Sequence, residues 1–149
     1  MSINCTNSDG WAPLHVSASE GHTGLVEILI EYGAVIDSRT KNFRTPLHIA
    51  CIRGNFAVVQ SLLVAGADPD VKDIDGNTPA HFCAEYGHQD CLRFLLTRHP
   101  TLFAKNSEGK SAIDVAVSHE ILQVFMLYLS SRHSRSTSKV CVMCFTNKT

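Results

Sequence analysis

The segment Ala12-Pro13-Leu14-His15 returns as Thr45-Pro46-Leu47-His48 and again as Thr78-Pro79-Ala80-His81, each time 33 residues further on. A fourth, decayed copy, Ser111-Ala112-Ile113-Asp114, keeps the same step. Glycines follow the grid too: Gly21, Gly54 and Gly87; Gly33 and Gly66; Gly10, Gly76 and Gly109. A fixed period of this length constrains the fold more than composition does. Each unit is a small supersecondary element whose apolar side stays wet unless a neighbour covers it, so the units must stack.

One period shows how such a unit is built. Thr45 is suited to cap a helix, and Pro46 at the first helical position loses no hydrogen bond, because that N–H has no partner there anyway. Leu47, Ile49, Ala50 and Cys51 supply the buried side of a short helix that Gly54 ends. A second helix starts near Asn55 and carries Val58, Val59, Leu62 and Leu63 at helical spacing. Gly66 stops it, since glycine takes the left-handed conformation cheaply. Residues 67–77 then form a protruding hairpin with Asp75-Gly76 as its turn signal.

Tetrapeptide, glycines and period together resemble the ankyrin repeat over about residues 3–129. The expected fold is an all-α repeat solenoid, an array of helix-turn-helix units with protruding β-hairpin loops. Residues 1–8 would be the end of a preceding repeat or an N-terminal strand. Repeats would follow at 9–41, 42–74 and 75–107, then a partial terminal repeat at 108–129 and a basic, Ser-rich, disordered tail at 130–149. The opening is unusual, because Ile3-Asn4 aligns with Ile36-Asp37 one period later and no polar capping helix precedes Trp11. Either a short strand closes the array or upstream repeats exist in a longer form.

The last helix is the second departure. Eight of the nine residues from Ile121 to Leu129 are apolar, where a terminal repeat normally shows a polar outer face. Each large side chain left in water forgoes about 1.5–3 kcal/mol, so a cover over Ile121–Leu129 is expected: the tail, a further domain of a longer isoform, or a partner. Asp114 in the histidine position is typical of a last repeat in the family.

Charge divides the chain. The tail holds Arg132, Arg135, Lys139 and Lys148 with no acid, leaving nine basic against 14 acidic residues before it. An acidic array argues against a nucleic-acid platform. No run approaches the length of a membrane span. The N-terminus lacks the basic and apolar regions of a secretory signal, so the cytoplasm, or the nucleus, is the expected location. The six cysteines then read as thiols, with Cys51, Cys83 and Cys91 in slots for small buried residues. Cys141 and Cys144 have the spacing of a zinc knuckle, but a second Cys/His pair is missing and His133 is a poor third ligand. Their apolar neighbours, Val140 to Phe145, read more simply as a patch that folds onto the exposed helix.

Histidines 15, 48 and 81 fall in separate layers, one period apart, and so do not form one coordination shell. The resemblance implies instead that each hydrogen-bonds a neighbouring Thr hydroxyl or a backbone group, tying repeat to repeat. No phosphate loop, nucleophile elbow or paired carboxylates on a rigid face occur. No catalytic residue, metal or cofactor is expected. The resemblance implies a non-enzymatic scaffold or adaptor that binds another protein through its concave face and hairpin tips. The alternative is a regulatory or substrate-recognition fragment of a larger enzyme, such as a kinase or a ubiquitin ligase.

Carried over position by position, the partner-binding residues are Trp11 and Glu20 in the first repeat; Lys41, Arg44, Ile52 and Arg53 in the second; Ile74, Asp75, Asn77, Glu85 and Tyr86 in the third; and Lys110 in the last. Trp11, Tyr86, Ile52 and Ile74 stand at positions the fold does not need buried, as interface anchors do; Trp11 has the alternative of packing across the first hairpin. Lys41, Arg44 and Arg53 gather between acidic flanks. A partner with an acidic centre and a basic periphery would complement them.

Overall fold

A computed structural model describes residues 2–132. Three helical pairs follow one another: α1 (Pro13–Glu20) with α2 (Thr23–Glu31), α3 (Pro46–Arg53) with α4 (Phe56–Val64), and α5 (Pro79–Tyr86) with α6 (Gln89–Leu96). A longer helix, α7 (His119–Arg132), closes the described part. The first helices stack as α1–α3–α5 and the second helices as α2–α4–α6–α7, two rows one helix thick. Each first helix opens with proline at its first position and ends on a left-handed glycine, as the tetrapeptide and the glycine grid require.

The core runs between the rows through every unit. Leu14, Leu47, Val59, Leu62, Leu92 and Leu95 are fully or almost fully buried, each contributing about 1.5–3 kcal/mol by leaving water. Cys51, Cys83 and Cys91 lie in that core. Burial pushes the Cys91 thiol up to about 12. Cys83 is raised as well, first by its hydrogen bond with Cys51 and then by burial.

The histidines tie unit to unit. Nδ1 of His15, His48 and His81 accepts from the backbone N–H three residues earlier, at 3.1 Å in each case. That leaves the proton on Nε2, which donates forward to the carbonyls of Arg44, Asn77 and Lys110 at 2.9–3.0 Å. In the last unit Asp114 keeps only the local half of this device: Ser111 donates to its carboxylate from N–H at 2.9 Å and from Oγ at 3.0 Å. The carboxylate is too short to reach onward.

Two details of the array come from the structure. The hairpins contain no strand among the described residues. Each is a turn closed by two backbone bonds, such as Thr40 N–H to Arg44 O at 3.0 Å with Phe43 N–H to Thr40 O at 2.9 Å, and Asp73 N–H to Asn77 O with Gly76 N–H to Asp73 O, both at 3.0 Å. The terminal unit also has no first α-helix, because residues 112–115 form turns. Without Pro at the second position and a His at the fourth, nothing there starts a helix or pins it to a next layer.

The apolar helix sorts itself by face. Ile121, Val124 and Phe125, at helical spacing, are buried against the preceding layer, while Leu122 and Leu127 stay exposed. Beside them an open groove of 400 Å³ is lined by Leu96, Val124, Leu127 and Tyr128, with Arg93 and His99 at its rim. Residues 130–132, expected to belong to the disordered tail, continue α7; the rest of the tail, with Cys141, Cys144 and His133, lies outside the described residues.

Candidate interaction surface

The hairpin tips and the outward sides of α1, α3 and α5 form one continuous surface, held by a lattice of backbone bonds. Lys41 N–H donates to Asp9 O (3.1 Å), Ile74 N–H to Asn42 O (2.9 Å) and Ser107 N–H to Asp75 O (2.8 Å), so each tip rests on the next. Inside each tip, one short oxygen-bearing side chain accepts two backbone N–H groups. Asn7 serves Asp9 and Trp11; Thr40 serves Asn42 and Arg44; Asp73 serves Asp75 and Asn77; Asn106 serves Glu108 and Lys110. The four are one period apart, yet their side chains differ. Their common role is legible only once the turn is seen.

This lattice changes the reading of Arg44. Its Nε lies 3.3 Å from Asp73 Oδ2, and the Asp73 side chain is wholly buried. The guanidinium also sits 5.1 Å over the Phe82 ring. Asp73 Oδ1 is already taken by the turn, so Arg44 is the counter-charge for a buried carboxylate. It is not a free cation offered to a partner. Lys41 and Arg53 are exposed, and they carry the positive character of the second unit.

The other expected residues divide the same way. Ile52 is half-buried and packs on the core, and its carbonyl accepts from His88 Nε2 at 3.1 Å. Trp11 is half-buried, its ring tilted 48° to His15 at 6.0 Å, so packing accounts for part of its role. Glu20 is exposed at the end of α1, away from the cluster described next.

Asp75, Asn77, Glu85 and Lys110 come together around an open trough of 500 Å³, with Glu108 and Asp114 on its other wall. Lys110 pairs with Glu108 at 3.3 Å, and both are exposed. Such a pair is worth little, and three further carboxylates remain. The trough is therefore net acidic.

Beside it Tyr86 stands in an aromatic column. Its ring stacks on Phe82 at 6.4 Å and on His88 at 6.4 Å, while 52% of the residue stays exposed. A tyrosine held on both sides and open at its edge loses little entropy on contact with a partner. Ile74 is exposed at the third tip.

One residue of this surface escaped the sequence reading. Phe43 occupies the tip position where the other three units have Gly10, Gly76 and Gly109, and it shares their left-handed backbone, φ 59° against 76–79°. Its ring is nevertheless exposed. A bulky residue in that conformation is strained by roughly 1–3 kcal/mol, and it borders Lys41 and Ile74 at the tips. The signal was the gap in the glycine grid at 43.

Among the described residues no helix is long and apolar enough to cross a membrane, and no group of three or more metal-ligating side chains gathers. The family model described as "Ankyrin repeats (3 copies)" matches residues 1–73 and 53–135. The chain is also similar to Alpha-latrotoxin-Lh1a of Latrodectus hasselti, 42% identical over 41 residues, which is 28% of this chain and 3% of that protein.

Proposed function

Since the chain belongs to the ankyrin-repeat family, whose arrays are generally protein–protein interaction modules, we propose that it is a non-enzymatic scaffold or adaptor. It binds a partner protein through the hairpin tips and the outward sides of α3 and α5. The observation that carries this reading is the row Phe43, Ile74 and Tyr86, three apolar or aromatic residues about half exposed or more beside the acidic trough. Phe43 does so from a backbone position that disfavours it. Burying such anchors is where interface energy concentrates.

The charges refine the partner. With Arg44 consumed by Asp73, the face offers Lys41 and Arg53 on one side and the carboxylates around the trough on the other. A complementary partner places a lysine or arginine over the trough and an acidic residue opposite Lys41, which speeds encounter and fixes orientation.

The test uses the full chain with a photo-crosslinking residue at Ile74 or, as a control, at the exposed Ala57 on the second-helix row. A protein captured through position 74 and not through 57, and lost on Tyr86→Ala with Phe43→Gly, supports the reading. Capture through 57 alone moves the site to the other row.

A further inference from the structure

The second-helix row carries a charge pattern that the tips and first helices do not use. One outward position recurs as Glu27 in α2, Gln60 in α4 and Arg93 in α6, 33 residues apart each time. Read across the row, it runs acid, neutral, base. Glu31 extends the acidic end one turn further along α2, and Arg98 extends the basic end just past α6. Between the two ends, α4 holds no charged residue.

Unlike Arg44, these side chains have no strong partner within the molecule. Among the described residues neither Glu27 nor Glu31 pairs with a cation, and Glu27 accepts only the Ser61 hydroxyl, at 3.1 Å. Two like charges one turn apart on a helix repel each other, so stability of the fold does not account for them. Arg93 meets Asp90 at 3.6 Å with both side chains more than half exposed, a pair worth little. The Arg98 guanidinium lies 5.8 Å over the Phe94 ring and has no acid beside it.

The surface between the charges is apolar and indented. An open groove of 580 Å³ crosses the row, lined by Glu27, Ile30, Glu31, Gln60, Val64 and Phe94. Val64 is 72% exposed and Ile28, on the adjoining helix, 50%.

We propose that this row is a dimer interface and that its occupant is a second copy of the same chain, related by a two-fold axis through α4. Such an axis brings a surface against itself turned round. A row that runs acid, neutral, base complements itself under that operation, because α2 then lies over α6 of the second copy and α6 over its α2. With the axis between Gln60 and Val64, a rise of about 1.5 Å per helical residue sets Glu31 opposite Arg93 of the second copy, and Glu27 opposite Arg98. The two α4 helices meet through Val64 and Gln60 without like-charge repulsion. A foreign partner would need the same order of charges in reverse, whereas a second copy carries it by necessity.

The patch is small. Three helices of eight or nine residues cover about 13 Å by 27 Å, less than a standard stable interface. The dimer is therefore weak, dissociating in the micromolar range, and it depends on charge. The tips and the outward sides of α1, α3 and α5 stay free for a partner protein.

Sedimentation velocity of the full chain across micromolar concentrations tests this, with a thiol reductant present so that exposed Cys5 cannot link copies. Glu27→Lys with Glu31→Lys should raise the dissociation constant at least tenfold, as should Arg93→Glu with Arg98→Glu. Mixing the two double variants should restore association to within about threefold of wild type, because each repels itself and complements the other. Half-molar salt should weaken the wild-type dimer at least tenfold by screening. Val64→Asp, which brings two carboxylates to the axis, should abolish it. Urea midpoints of the charge variants should stay close to wild type, which separates lost association from lost folding.

A chain that stays monomeric at low salt overturns the proposal and leaves the row to a foreign partner. Self-association that survives either charge reversal, Val64→Asp or half-molar salt overturns it equally. So does a mixture of the two double variants that fails to associate, since the copies would then meet elsewhere.

Discussion

Replacing Gly54 by alanine tests the link between a turn and the layer behind it. Gly54 ends α3 at φ 71°, and a β-carbon there would stand 2.5 Å from His88 Nδ1 and 2.6 Å from its Cε1. Two penalties then add. The left-handed backbone is strained for any residue with a β-carbon, by roughly 1–2 kcal/mol. The imidazole must also move, and with it goes the hydrogen bond from Nε2 to Ile52 O, worth about 1 kcal/mol, together with the stacking on Tyr86. The expected loss is about 2–4 kcal/mol. Gly33→Ala is the control: its φ is 92° and nothing lies within 4 Å, so only the backbone strain remains. Both substitutions restrict the unfolded chain equally, so that term cancels in the comparison. Urea unfolding of the two variants should differ by about 1–2 kcal/mol, and His88→Ala in the Gly54→Ala background should erase most of the difference. Equal midpoints for the two glycine variants, with no coupling to His88, would refute the reasoning.

Arg44→Glu should destabilise the fold by about 2–3 kcal/mol, because the buried Asp73 carboxylate loses a charge-assisted hydrogen bond and gains a like charge; Arg53→Glu, on an exposed side chain, should stay within about 0.5 kcal/mol, and urea midpoints separate the two. His48 is held neutral by burial, its pKa drawn down to about 4, so below roughly pH 6.5 the unfolded chain takes up a proton that the folded chain refuses. Stability should therefore fall between about pH 6.5 and 4 by roughly 3 kcal/mol from this group, and His48→Gln should flatten that part of the pH profile. Cys51, Cys83 and Cys91 should resist thiol labelling at pH 8 until the chain unfolds, because they are buried and the thiolate is the reactive form, whereas exposed Cys5 should react at once; peptide mapping of the labelled sites checks this.

Much of the array is legible before folding. Proline after a capping position, glycine at each helix end and apolar residues at helical spacing act within one unit, and repetition every 33 residues averages away local ambiguity. Those signals locate six of the seven helices among the described residues and the layers of His15, His48 and His81. The interaction surface is less legible, since a position that faces outward in a family can still be consumed internally. Arg44 and Ile52 both read as available from their positions, and both are engaged within the molecule.

Sequence alone determined the stack, because the period forces every unit to need a neighbour and the spacing of apolar residues says on which side. Only the tertiary structure decided what each unit does with its variations. Phe43 and His99 adopt left-handed backbones, φ 59° and 53°, at places where the other units have glycine, since the turns are clamped by bonds to neighbouring layers that outweigh a single residue's preference. Asn7, Thr40, Asp73 and Asn106 become equivalent because each turn presents two N–H groups to whatever oxygen is there. Val16 and Leu25 differ from Ile49 and Val58 in exposure, although they are equally apolar. Burial belongs to the pair of surfaces that meet, and a residue's own chemistry supplies only one of them.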